Sequence, residues 1–143
     1  MKTASTAKPS TINRATPLPH PDLPRYCDDL ENWARSWMGW GKDLPPGEAL
    51  VACFRPFLES LVNSSLSRKT IRNHVDNLWL LGGEIIRDLN ETPSLKKVSV
   101  ERLLINAIAN GGPLLYHCDS EEQQRSFDST CRKLRRFLGQ TPR

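Results

Sequence analysis

From Arg25 onward the apolar residues recur every three or four positions, and no segment sustains the apolar-polar alternation of a half-buried strand. The body of the chain therefore reads as helices. Tyr26, Leu30, Trp33, Trp37 and Trp40 step by four, three, four and three, which places them on one face of a first helix over about Pro24 to Trp40. Three tryptophans on one stripe can stack on nucleobases or line a peptide groove, but large aromatics at this spacing are more often core. Gly41 and the Pro45-Pro46-Gly47 cluster end that helix, and Pro46 suits the next helix start, where its missing N–H is an orphan donor anyway. A second helix follows over about Glu48 to Val62. It is buried through Leu50, Phe54, Phe57 and Leu61, with Pro56 expected to kink or divide it.

The third helix opens on Ser67 as N-cap and carries Ile71, Val75, Leu78, Ile85 and Leu89 on one stripe. Trp79, Leu80 and Leu81 add apolar residues on its other faces, so its middle is expected to be surrounded by protein. Gly82 and Gly83 each cost about 1 kcal/mol of helix propensity relative to alanine, which suggests a break or a place where another backbone comes very close. A fourth helix, about Val100 to Ala109, is capped by Ser99, buried through Leu103, Leu104, Ala107 and Ile108, and stopped by Gly111-Gly112-Pro113. The fifth begins at Ser120, with Gln123 completing a capping box, and buries Phe127, Cys131, Leu134 and Leu138. The expected class is all-α, an orthogonal bundle of four to five helices over residues 24–139. A disordered, proline-rich tail over 1–23 precedes it and a flexible end over 140–143 follows it.

Length supports a single domain, since 143 residues with 38% apolar content can close one core but not two. The net charge of +4 suggests nucleic acid until it is divided along the chain. Lys2, Lys8 and Arg14 against Asp22 give the tail about half of it, so the body is only weakly basic and the arrangement of its charge must carry any case for DNA. The apolar runs fall far short of the roughly 20 residues of a membrane span, and the prolines of the N-terminus would break the amphipathic helix of a transit peptide. A cytoplasmic protein that does not enter a membrane is expected. Cys27, Cys53, Cys118 and Cys131 show no CxxC pair and follow no signal peptide, so they are read as reduced.

No residue set amounts to an active site. His117 and Cys118 are adjacent, so their side chains diverge, which argues against a Cys-His nucleophile pair there. His117, Cys118 and Cys131 with Cys27 or Cys53 match no zinc spacing, and neither GxxxxGK[ST] nor GxGxxG is present, so no cofactor or metal is expected. Glu84 is a helix carboxylate that could act as acid or base, but no partner for it is identifiable. The most informative charge pattern lies on the fifth helix. Arg125, Arg132 and Arg136 fall within about 40° of one another at 100° per residue, with Lys133 beside them. Lys69 and Arg72 of the third helix point away from its apolar stripe along with Asn73, although Asp76 on that face subtracts from the field. Such faces can neutralise phosphates or read guanine edges; they are also what an ordinary solvated face looks like.

Phe57-Leu58-Glu59-Ser60-Leu61 followed by Leu66-Ser67-Arg68-Lys69-Thr70-Ile71-Arg72-Asn73-His74 resembles the start of the core-binding, SAM-like domain of tyrosine recombinases and phage integrases. The segment from Ser120 to Leu138, with Arg132-Lys133-Leu134-Arg135-Arg136-Phe137-Leu138, resembles the last helix of those domains. The resemblance spans about Glu48 to Leu138. It implies part of a clamp on duplex DNA, with Lys69, Arg72, Arg125, Arg132, Lys133 and Arg136 as contact residues. It does not extend to catalysis, because the recombinase reaction needs a tyrosine nucleophile and a His-x-x-Arg motif in a second domain, and no histidine here has arginine three residues on. Leu66 to Leu78 also resembles the recognition helix of LuxR-type regulators, less closely, since those need a compact helix pair just upstream. Leu78 to Asp88 and Gly111-Gly112-Pro113-Leu114-Leu115-Tyr116 resemble a family of small bacterial proteins, which implies no activity. The expected function is a non-catalytic DNA-binding module. The alternatives are a protein-interaction module, as a homodimer or on an accessory partner through an exposed apolar patch, and an enzyme with a pocket around Glu84 or His117.

Overall fold

A computed structural model describes residues 22–140. Among these residues the secondary structure is helical throughout, in the order α1 (Leu23–Tyr26), α2 (Trp33–Trp37), α3 (Leu44–Val62), α4 (Arg68–Glu91), α5 (Val100–Ala107) and α6 (Glu121–Gln140), with 3-10 turns at Leu30–Asn32, Gly41–Asp43 and Pro93–Lys97. The all-α class is as expected. The tail falls outside the described residues except at its end, where Leu23 is buried in the core, so the folded part begins at least one residue earlier than expected. At the other end α6 continues through Gln140, and 141–143 lie outside the described residues.

The expected first helix is broken in two. Cys27 leaves helical geometry at φ −153°, and the Asp29 carboxylate accepts from Trp33 Nε1 at 3.2 Å and from Cys27 Sγ at 3.7 Å. These two bonds tie the side chains on either side of the break together. The stripe still delivers Leu30 and Trp33 to the core and packs Trp37 against it, but Trp40, past the break after α2, is 65% exposed.

The expected second helix instead starts at Leu44, with Pro45 and Pro46 in its first turn, and runs through Pro56 as one element. Both Pro56 and Ala52, whose carbonyl loses its donor, are exposed, so water can satisfy that carbonyl while Phe54, Phe57 and Leu58 hold the helix from the other side. Near its start, Gly47 lets α3 approach α2 closely, because a Cβ there would sit 3.0 Å from Ala34 Cβ.

α4 runs unbroken through Gly82 and Gly83, capped by Ser67 Oγ, which accepts from Thr70 N at 3.1 Å. The close approach at Gly82 is made by a side chain and not by a second backbone. A Cβ on Gly82 would lie 2.7 Å from Trp37 Cε2 and nearer still to Cζ2 and Cη2, so the indole of α2 fills the notch. Trp37 Nε1 donates to Trp79 O at 2.9 Å, and its ring meets Phe54 edge-on at 6.5 Å between centroids. The middle of α4 is not fully enclosed, since Trp79 is 39% exposed and donates from Nε1 to Ser36 Oγ.

α5 ends at Ala107, two residues short of expectation, with Ser99 as its cap as expected. The turn after it reverses at Gly111, whose φ of +94° only glycine adopts freely. Ser120 Oγ accepts from Gln123 N at 3.1 Å at the start of α6, while Gln123 Oε1 accepts from Asp119 N instead of closing a capping box onto Ser120. The core runs along the predicted stripes of α3, α4 and α6, where Phe54, Leu78 and Phe127 are wholly buried.

Candidate nucleic-acid interface

α4 and α6 pack side by side through a polar seam that no periodicity announces. Asn77 Nδ2 donates to Thr130 Oγ1 at 2.9 Å and to Ser126 O and Oγ at 3.2 Å. His74 Nδ1 and Thr130 Oγ1 share a hydrogen bond at 2.7 Å. Asn77 and Thr130 are buried, so the bond between them is made away from water and its loss would leave polar groups unpaired. Burial and then the nearby Lys133 ammonium hold the His74 imidazole below its ordinary pKa, favouring its neutral form. The order His74 to Asn77 on α4 runs against Thr130 to Ser126 on α6, so the helices are antiparallel here and the start of α4 lies beside the later turns of α6.

With the seam and the core occupying one half of α6, Arg125, Arg132 and Arg136 are left on its exposed half, as the helical angles imply. Lys133, half-buried, leans toward His74 and joins this ridge to α4, whose Lys69 and Asn73 are exposed. The ion pairs among the described residues are Arg25–Asp22, Arg55–Glu31 and Arg87–Glu84, so among these residues none of the six candidate cations is in a direct ion pair, although Arg72 faces Asp76. Arg72 stands apart from the other five. It lies on the α1 side of α4, donates from Nη2 to Arg25 O at 3.3 Å, and lines a 730 Å³ cavity with Arg25, Tyr26, Asp29, Asp76 and Trp79. In that cavity burial, then the Asp29 charge, raise the Asp76 carboxyl above its ordinary range against the pull of Arg72, so acids and bases face each other there.

Glu84, without an identifiable partner in the sequence, has two. It pairs with Arg87 and accepts the backbone N–H of Tyr116 at 3.1 Å, while Arg87 stacks over the Tyr116 ring at 4.2 Å. This ties the loop before α6 to α4. His117 and Cys118 are exposed in that loop, and neither they nor Glu84 line the cavities of 730, 400 and 260 Å³. The four cysteines are free; burial, then nearby aspartate charge, pushes the thiols of Cys27 and Cys131 up to about 12, so both stay protonated and inert. No helix of the described residues is long and apolar enough to cross a membrane. No protein family model, curated protein or solved structure matches the chain.

Proposed function

We propose that the protein is a non-catalytic, cytoplasmic DNA-binding module, an orthogonal helical bundle of the SAM-like type, that meets duplex phosphates through α6 and the start of α4. The observation that carries this reading is the α6 ridge, where Arg125, Arg132 and Arg136 share one solvent face and, among the described residues, no carboxylate is in an ion pair with them. A fixed array of cations releases condensed counterions from DNA, which is where sequence-independent affinity comes from. Lys69 and Lys133 extend the array, because the seam holds the two helices in register. Arg72, turned toward α1, contributes least.

Titration of a labelled random duplex tests this. About four phosphate contacts lower the affinity on the order of a hundredfold between roughly 50 and 200 mM salt. The R132A/R136A variant binds more weakly and loses about two units of salt slope, whereas Arg72→Ala changes little. Absence of binding at micromolar protein overturns the proposal.

One observation favours a second reading, a protein partner or a homodimer. Leu114 and Tyr116 are 84% and 65% exposed in one loop, and the partner surface expected from the tryptophan helix reduces to Met38 and Trp40 at its end. Sedimentation over a range of concentrations, with Leu114→Asp as the control, distinguishes a self-associating chain from a monomer.

A further inference from the structure

A second cavity, of 400 Å³, opens between the start of α3, the end of α4 and the start of α5. Its walls are apolar, formed by Pro46, Ala49, Leu89, Val98 and Leu103. The charged groups that face it are Lys42, Lys96 and Asp43. The two lysines sit on separate 3-10 turns, Gly41–Asp43 and Pro93–Lys97, that the fold brings together over the cavity. Both line the same cavity, and the like charge of Lys42 nearby holds Lys96 below the ordinary lysine range. Two like charges converging in this way are unfavourable unless an anion sits between them.

Asp43 offsets only part of that repulsion, since one carboxylate faces two ammoniums. Its Oδ2 already accepts from Gly39 N at 2.9 Å, Trp40 N at 3.1 Å and Asn90 Nδ2 at 3.2 Å, and its side chain is buried beneath the turn that carries Lys42. Two cations against one committed carboxylate leave the lining with an excess positive charge. The starts of α3 and α5 both open here, and the positive ends of two helix dipoles add to it. Pro45 and Pro46 lack backbone N–H groups, so the first turn of α3 supplies apolar surface and few donors, and the task of holding an anion falls to the two lysines.

We propose that this cavity binds a small carboxylic acid with an apolar body, its carboxylate held between the Lys42 and Lys96 ammoniums and its chain lying on Ala49, Leu89, Val98 and Leu103. The volume is at the lower end of the roughly 300–1,000 Å³ of small-molecule sites, which suits a short aliphatic or single-ring acid. Charge-assisted hydrogen bonds to the lysines fix the head, and burial of the body supplies the remaining affinity. The proposal is independent of DNA binding and shares no residue with that surface.

The test is an amide-resolved NMR titration of the full chain with octanoate, octan-1-ol, acetate and inorganic phosphate. Octanoate gives saturable shifts at Ala49, Leu89, Val98 and Leu103. Octan-1-ol, which keeps the body and lacks the charge, binds about tenfold more weakly or worse. Acetate and phosphate, which carry charge without the body, give no saturable shift at those residues. The K42Q/K96Q variant alters only exposed side chains, keeps the melting temperature, and loses the preference for octanoate over octan-1-ol. Equal binding of octanoate and octan-1-ol to the unaltered protein, an unchanged preference in the variant, or no saturation by about 10 mM octanoate overturns the proposal.

Discussion

Two of the interfaces of helix α4, those with α2 and α6, are made of opposite materials. Toward α2 the contact is steric: the Trp37 indole lies in the notch left by Gly82, and its N–H is anchored on the Trp79 carbonyl. Toward α6 the contact is a chain of hydrogen bonds from His74 and Asn77 to Ser126 and Thr130. The first interface has little room for an added atom, because a Cβ on Gly82 falls within the contact distance of a rigid ring that is also anchored by its N–H. The second tolerates changes of shape better than changes of hydrogen-bonding capacity. The surface proposed to meet DNA sits on the second, so its rigidity depends on hydrogen-bond satisfaction, while the first fixes the tryptophan segment on α4.

The largest expected effect comes from the steric side. Gly82→Ala drives a methyl into the indole and costs about 3 kcal/mol despite the gain in helix propensity, measured by chemical denaturation. Combining it with Trp37→Leu, which opens the notch, yields a double variant less destabilised than the sum of the two single changes. Strict additivity would show that the ring and the glycine are not coupled.

Asn77→Leu keeps volume and removes the donor group of the seam, costing about 1–2 kcal/mol. If the seam positions α4 against α6, this variant also weakens duplex binding although it removes no charge. Unchanged binding would separate the ridge from the seam.

Acidity probes the same contact more gently. The folded pKa of His74 lies below its ordinary value of 6.5, so the unfolded chain takes up the proton first as pH falls. The histidine's contribution is complete above about 6.5 and is lost as pH drops from there toward the folded pKa. Denaturation midpoints at pH 7 and 5.5 therefore differ more in the wild-type chain than in His74→Gln, and equal differences would overturn the assignment. The smallest effect on stability belongs to R132A/R136A. Its melting temperature corresponds to a change within about 0.5 kcal/mol, since both side chains are exposed and free of ion pairs among the described residues.

The four longer helices were legible in the sequence because their apolar residues repeat without interruption. Leu50, Phe54, Phe57 and Leu61 on α3 and Phe127, Cys131 and Leu134 on α6 are buried as their spacing predicts. The break between α1 and α2 was not, because no proline or glycine marks it in Cys27-Asp28-Asp29 and the contacts that Asp29 makes across it are between side chains. Pro56 does not divide its helix, although local rules allow that: packing of Phe54, Phe57 and Leu58 holds α3 as one element and the residues around the freed carbonyl are exposed. Gly82 did signal a close approach, yet only the fold could show that a tryptophan some forty residues away fills it. The seam was invisible because His74, Asn77, Ser126 and Thr130 follow no apolar period, although two polar residues beside a helix stripe, matched by hydroxyls beside another, were the available hint. The arginine ridge could be read from helical angles alone. That Arg72 leaves it could not, because which flank of α4 faces α1 is decided by the chain as a whole.

The four free thiols stand at graded depth, with Cys118 on the surface, Cys53 half-covered, and Cys27 and Cys131 at different ends of the core. They amount to a set of internal clocks. An alkylating reagent marks Cys118 at once, while Cys27 and Cys131 become modifiable only at the rate at which the α1 segment or α6 opens. Site-resolved labelling would then time whether the tryptophan end or the basic end of the molecule comes apart first.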